Sequence, residues 1–337
     1  MRIQLIGLGN VGQSLIKLVV SNRKRLEAMG INLSIVSISD SKGTAVNEKG
    51  LNLNQVLKHK KLKWSGFNEY IDGYGALNAI REIASEAVVE LTPSTQNGEP
   101  GLSNIKTAFL LGKNVVTANK GPLVVAYRDL KKTASERNVR FLYEATVAAH
   151  VPVFCMARSC FVADKTLKIE GILNATTNFI IGEIEKGRTF EEALNEAIRA
   201  GWAETNYRDD VDGIDAARKT VILANEFFEG EARLKDVNVE GIRGVEPMVR
   251  QATKSNKKVK LICEVAREGN RLRMSVLPQQ IAMNDPLATV NHGGMGIKFN
   301  YRTSKEVFVS AQFGGPAQTA YAVLNDIIKL VPNQEPC

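Results

Sequence analysis

The residues best equipped for chemistry lie in one span, GWAETNYRDDVDGIDAARK at 201–219. It gathers Glu204, Asp209, Asp210, Asp212, Asp215 and Lys219. A lysine among that many carboxylates sits in an unusual electrostatic environment, suited to charge pairing or to acid–base work. Asp215 and Lys219 are spaced i, i+4, so a helix puts both on one face. Ile214, Ala217, Val221 and Ala224 share an apolar stripe, which predicts a helix over 214–228 with the Asp-rich part as the loop leading into it. Taken alone, such a run reads first as a solvated surface whose Asp/Lys pair contributes only a few tenths of a kcal/mol. The elements around it must decide.

Those elements begin with a strand at 2–6 (RIQLI), followed at once by GLGNVG and an apolar helical pattern over 11–26. Gly7, Gly9 and Gly12 have the GxGxxG spacing. Gly7 allows a tight turn, Gly9 lets a pyrophosphate approach the backbone, and Gly12 lets helix and strand pack closely. The helix N-terminus then faces the phosphates. A second strand, 32–39, ends in Asp40-Ser41-Lys42. Asp40 suits the ribose hydroxyls of NAD, while Ser41 and Lys42 suit a 2′-phosphate, so the choice stays open with a lean to NADP; Asp40 also reads as a strand-end turn residue. Helices are expected at 51–60, 76–85, 103–111 and 127–138, and strands at 87–91, 114–117 and 139–143. Ligands of an open parallel sheet bind at strand C-termini, which selects Thr92, Pro93 and Lys120. The reading for Lys120 as a plain surface lysine stands beside this.

At 144–153 the character changes to EATVAAHVPV, small-residue-rich and more linker than element. One or two strands follow over 163–174. A helix then starts within Asn174 to Asn178, where a hydroxyl or amide can cap it. Thr189-Phe190-Glu191-Glu192 is a capping box whose helix runs to Ala200, with Gly201 as its stop. Strands are expected at 259–268, 271–278, 297–301 and 306–310, and an amphipathic helix at 319–329. The chain of 337 residues is 44% hydrophobic and 24% charged, ordinary values for a two-domain globular protein. The net charge of +8 is scattered, not gathered into a stripe with aromatics, which disfavours nucleic acid and suits an anionic small substrate or phosphorylated cofactor. The densest basic run, Lys58 to Lys63, reads as solvated surface. Four cysteines (Cys155, Cys160, Cys263, Cys337) form no CxxC pair, and the three histidines are not at ligand spacing with them, so zinc is not expected. Reduced thiols in the cytosol fit this usage, and neither a signal peptide nor a membrane-length apolar run is read.

The chain resembles homoserine dehydrogenase. The matching pieces are GLGNVG, TANKG at 117–121, EATVAAHVPV at 144–153, GILNATTNFI at 171–180 and GWAETNYRDDVDGIDAARK, in the family's order over most of residues 1–225. The resemblance implies an α/β chain: an N-terminal Rossmann domain at 1–143 completed by 312–337, and an α+β catalytic and dimerisation domain at 144–311 with an open mixed sheet. It implies reversible NAD(P)-dependent interconversion of L-homoserine and L-aspartate 4-semialdehyde in amino-acid biosynthesis, by a cytoplasmic homodimer. Reducing an aldehyde needs hydride at carbon and a proton at oxygen, and without zinc or a suitable histidine lysine is the plausible acid. By similarity Lys219 is the proton donor and Lys120 touches substrate and nicotinamide; two such ammonium groups near one another would lower each other's pKa. Glu204 and Asp215 would hold the substrate ammonium, Asp210 would orient Lys219 or the substrate, and Thr176 would also line the substrate. Gly7, Gly9, Asn10, Val11, Gly12, Asp40, Ser41, Lys42, Thr92, Pro93, Lys120, Gly201 and Gly315 would contact the cofactor. The carboxylate of Glu144 and the carbonyls of Val147, Ala149 and Val151 would hold sodium or a similar monovalent cation at the domain junction; a hinge without metal is the plain alternative.

Two departures mark this chain. Asn206-Tyr207 stands where the family has Asp-Pro, and Phe313 stands in a segment, 312–320, that is usually richer in glycine, which bears on cofactor affinity. No regulatory segment is read after the last helix and no kinase segment before the first strand, so threonine feedback is not expected. The competing readings are a related oxidoreductase on another amino-acid-like substrate, told apart by a substrate panel, and a non-catalytic cofactor-binding homologue, disfavoured by the presence of Lys120, Glu204, Asp215 and Lys219. Nucleic-acid binding would show as salt-dependent retention on duplex DNA.

Overall fold

The structure, a computed structural model, describes residues 1–203, 207–228, 230–269, 271–312 and 315–331. Two compact units form, Met1–Thr146 with Pro316–Cys337, and Val147–Gly315. The first unit is built on seven strands among the described residues: β1 (Arg2–Ile6), β2 (Ser34–Ser39), β3 (Gly43–Val46), β4 (Tyr70–Asp72), β5 (Ala87–Glu90), β6 (Asn114–Thr117) and β7 (Phe141–Leu142). Their order is β4-β3-β2-β1-β5-β6-β7. From β2 across to β7 the neighbours are parallel, while β3 and β4 add an antiparallel edge. Parallel strands covered on both faces read as continuous apolar runs, and Ala87–Glu90 is buried at every position.

The helix expected at 11–26 is two helices, Asn10–Ser21 and Arg23–Ala28, broken at Asn22. The helix read from 127 begins earlier, at Lys120, because Asn119 caps it by accepting from the Gly121 N–H; it departs from helical backbone geometry at Ala126. In the first unit's core, Ala320, Val323, Leu324 and Ile327 of the helix Pro316–Lys329 join Leu15, Ile16 and Val19 of Asn10–Ser21.

The second unit carries β8 (Thr166–Ile172), β9 (Asn238–Val239), β10 (Lys257–Glu268), β11 (Arg271–Ala282), β12 (Met295–Tyr301) and β13 (Glu306–Ala311). The order is β13-β12-β8-β10-β11-β9, antiparallel except for the β11–β9 edge, so the sheet is mixed. The helix Ile214–Phe227 packs on β10 and β11. The segment read as a linker holds a 3-10 turn, Glu144–Thr146, and runs into a helix, Val153–Cys160, directly after Pro152. Pro152 precedes the first helical residue, where it breaks no helical hydrogen bond, so the proline that suggests a linker is also compatible with a helix start.

Candidate active site

At the end of β1 the chain turns on Gly7, whose φ of +98° only glycine adopts readily. A Cβ at Gly7 would lie 2.5 Å from the Leu91 carbonyl oxygen, and one at Gly12 would lie 2.3 Å from the Gly7 carbonyl oxygen. Both glycines are thus required by close backbone packing. Gly9 differs: a Cβ there meets nothing within 4 Å. Gly9 precedes the helix Asn10–Ser21 and offers it no side-chain cap, so the first-turn N–H groups, with Asn10 and Val11, face a space into which a phosphate can approach. The residues present therefore fit a dinucleotide.

Asp40, at the end of β2, is heavily engaged. It accepts from Lys60 Nζ at 2.6 Å, Trp64 Nε1 at 2.7 Å and the Tyr70 hydroxyl at 2.9 Å. The backbone N–H groups of Lys42 and Gly43 also donate to it, at 2.9 and 3.2 Å. Burial alone would raise its pKa, but Lys60, Trp64, the Lys42 amide and Tyr70 together hold the carboxyl well below the usual range. Ser41 and Lys42 beside it are exposed.

The ends of β5 and β6 are tied together by side chains. Glu90 is fully buried and accepts from the Thr92 hydroxyl and, at 3.1 Å, from the Thr92 N–H. Burial raises the pKa of its carboxyl. Asn119 donates to the Thr92 hydroxyl at 3.1 Å, and Ser94 donates to Asn119 Oδ1 at 2.9 Å while receiving the Lys120 N–H at 3.0 Å. Thr92 and Lys120 are thereby placed on one braced rim; Pro93 is exposed beside them.

In the second unit the acidic run divides. Asp209 pairs with Arg218 at 2.6 Å and Asp212 with Arg243 at 2.7 Å. Asp210 and Asp215 instead converge on Asn174 Nδ2, at 2.6 and 3.0 Å. Lys219 Nζ lies 2.6 Å from Asp215 Oδ2 and donates to the Leu173 carbonyl at 2.5 Å. Asn174 also caps the helix Ala175–Glu185 by accepting from the Thr177 N–H, so one side chain sets the helix start and both carboxylates. Asp210 has its pKa raised, first by burial and then by the like charge of Asp215. Thr176 donates to the Trp202 carbonyl at 2.7 Å. Gly213 enters the helix Ile214–Phe227 with a φ of +79°, which delivers Asp215 and Lys219 one turn apart on the inward face. Gly201 and Gly315 have positive φ and open space at their Cβ positions.

Glu204, Asn206, Phe313 and Cys337 lie outside the described residues. Cys155, Cys160 and Cys263 form no disulfide; Cys263 is buried near Lys219 and Asp215, and burial pushes its thiol up to about 12. Glu144 is buried, and Ala148 and Ala149 both have left-handed backbone, with φ of 55° and 52°. Among the described residues, no group of three His, Cys, Asp or Glu side chains is placed to hold a metal, and no helix is long and apolar enough to cross a membrane. The sequence pointed to the paired carboxylates and the lysine. It did not single out Asn174 as their bridge or Glu90 as the brace of the strand ends. For Glu90 a signal existed: a glutamate ending an otherwise apolar buried strand needs hydrogen-bond partners.

A glycine turn opening onto an uncapped helix in a parallel sheet, with a second unit that seats a lysine on paired carboxylates, defines a nicotinamide-dependent oxidoreductase. Residues 152–328 match the family model for homoserine dehydrogenase, and residues 1–97 match that for glutamate/leucine/phenylalanine/valine dehydrogenase. The homoserine dehydrogenase of Methanocaldococcus jannaschii is 35% identical over 98% of this chain and 98% of its own. The NAD(+)-dependent homoserine dehydrogenase of Pseudomonas canavaninivorans is 31% identical over 98% of this chain and 96% of its own. A hyperthermophilic archaeal homoserine dehydrogenase in complex with NADPH superposes with a TM-score of 0.84 at 27% identity, covering 97% of this chain and 96% of that one. The chain belongs to the homoserine dehydrogenase family.

Proposed function

We propose that this chain interconverts L-homoserine and L-aspartate 4-semialdehyde, with Lys219 as the acid–base group. The observation that carries the reading is Lys219 fixed between Asp215 and the Leu173 carbonyl, beside Asp210. In the reducing direction Lys219 gives a proton to the aldehyde oxygen, and in the oxidising direction it takes the hydroxyl proton back. Asp215 and Glu204 hold the substrate's ammonium, Asp210 orients Lys219 or the substrate, and Thr176 lines the same site. The bound nicotinamide supplies hydride exchange at the carbinol carbon. Gly7, Gly9, Asn10, Val11 and Gly12 would hold the dinucleotide's phosphates; Thr92, Pro93 and Lys120 would hold its nicotinamide end, where Lys120 would also meet the substrate. Gly201 and Gly315 let backbone approach it.

NADP(H) is the favoured cofactor in this reading. Asp40 already accepts five hydrogen bonds, which leaves it few lone pairs for ribose hydroxyls, while Ser41 and Lys42 stand exposed next to it. A monovalent cation such as sodium is held by Glu144 with the carbonyls of Val147, Ala149 and Val151, a reading supported by the two successive left-handed residues that turn the chain there. The protein works as a cytoplasmic homodimer in amino-acid biosynthesis.

The test is reduction of NADP+ and NAD+ with L-homoserine by the wild type and Lys219→Ala. The expected loss in kcat is about a thousandfold, with cofactor affinity retained. Absence of homoserine turnover by the folded wild type with either cofactor would overturn the assignment and direct a panel of other amino-acid-like substrates.

A further inference from the structure

Lys260 lies on β10 and is 1% exposed. Its ammonium is held by neutral oxygens: Asn178 Oδ1 at 2.8 Å, the Val290 carbonyl at 2.7 Å and Asn291 Oδ1 at 3.4 Å. Burial pushes its pKa down to about 8, with Lys258 adding to the fall and Glu185 opposing it. A buried ammonium is costly unless it is fully hydrogen-bonded, so its surroundings are arranged around it.

What it arranges is the turn at 290–294. Asn178 accepts from Lys260 and spends its own amide on that turn, donating to the carbonyls of Val290 at 3.1 Å and Gly294 at 3.0 Å. Within the turn His292 is left-handed, with φ of 50°, and Gly293 presses on the indole of Trp202: a Cβ there would lie 2.5 Å from Cζ3. Trp202 stacks on Phe179 at 5.6 Å and receives the Thr176 hydroxyl on its carbonyl. An unbroken run of contacts therefore leads from Lys260 through the 290–294 turn to Trp202 and Thr176.

We propose that Lys260 is a positioning residue for the amino-acid-binding wall, acting through the 290–294 turn on Trp202 and Thr176. This rests on the homoserine reading only for the identity of the amino acid. Lys260→Met keeps the length of the stem and removes the donors, leaving Asn178 Oδ1 without its partner. The expected result is a rise in KM for homoserine of about tenfold, the size expected when a buried acceptor loses its donor, with kcat and the cofactor KM changed by less than about twofold. Lys260→Gln restores one donor and is expected to recover part of the loss. In a Trp64→Phe background the remaining indole is Trp202, and its emission is expected to shift to the red with Lys260→Met.

Gly293→Ala approaches the same contact from the turn and leaves Lys260 intact. It carries the test if Lys260→Met does not fold, with the same selective rise in KM expected. Unchanged homoserine KM and unchanged Trp202 emission in a folded Lys260→Met protein would overturn the proposal. So would a parallel loss in kcat, both KM values and thermal stability, which marks a merely structural role. A wild type that does not turn over homoserine instead refutes the substrate reading, and the emission of Trp202 still reports the link.

Discussion

Asp40 and Asp210 are two partly buried aspartates in opposite surroundings. Asp40 sees an ammonium, an indole N–H, a phenol and two backbone N–H groups, and its ionised form is favoured. Asp210 sees the Asn174 amide and the Lys219 ammonium, but burial and the like charge of Asp215 outweigh them and raise its pKa. Burial acts in the same direction on both; the donors and the neighbouring charge decide the sign. A carboxylate whose acceptors are filled by its own protein is a structural tie. One set against a second carboxylate, with a single lysine ammonium shared between them, leaves room for a further cation, and an amino-acid ammonium is such a guest.

The contrast can be tested from its strongest consequence downward. Asp210→Asn should lower kcat/KM for homoserine by about a hundredfold, because Lys219 and the substrate lose the carboxylate that orients them. The same change should raise the melting temperature at neutral pH. The folded pKa of Asp210 lies above the unfolded value, so its ionisation costs stability as pH rises through that window, and asparagine escapes the cost. The gain should vanish in acid, where the wild-type carboxyl is protonated in both states. Equal or lower stability of Asp210→Asn at neutral pH would break the comparison.

Asp40→Asn should behave in the reverse sense. Its folded pKa is lowered, so its contribution is fully present above the unfolded carboxylate value and is lost as pH falls toward the folded one. At neutral pH the change should cost about 2 kcal/mol, the range for hydrogen bonds to a charged acceptor, read from urea unfolding. The deficit should shrink as the buffer becomes more acid. Tyr70→Phe removes a single donor from the same carboxylate and should cost about 1 kcal/mol; a cost as large as that of Asp40→Asn would mean that Tyr70 matters through its ring, which stacks on Trp64 at 4.5 Å.

Much of this arrangement is legible in the residues, and the parts that are not share a physical reason. The strands at 2–6 and 87–91, and the helix at 214–228, announce themselves by long apolar periodicity. β3 and β4 have four and three residues, too few for an alternation to be seen, and they exist because β2 offers them an edge. The Val153–Cys160 helix was hidden by the proline before it. Lys219 and the acids were found by their density. Lys260 was not, because in KKVK it is one of three lysines: only the strand's depth in the sheet, a tertiary property, distinguishes it from the exposed Lys257. The role of Asn174 was half visible, as a cap; its second bond, to Asp210 and Asp215, depends on a segment about forty residues away that local pattern does not reach.

The helix Pro316–Lys329 closes the core of the first unit although it follows the second unit in the chain. During synthesis the apolar stripe of Leu15, Ile16 and Val19 waits for this part of its cover while the whole second unit is translated. The nascent chain therefore finishes its second unit before its first, against the order of its codons. A ribosome stalled anywhere before residue 316 presents a first unit that lacks this helix.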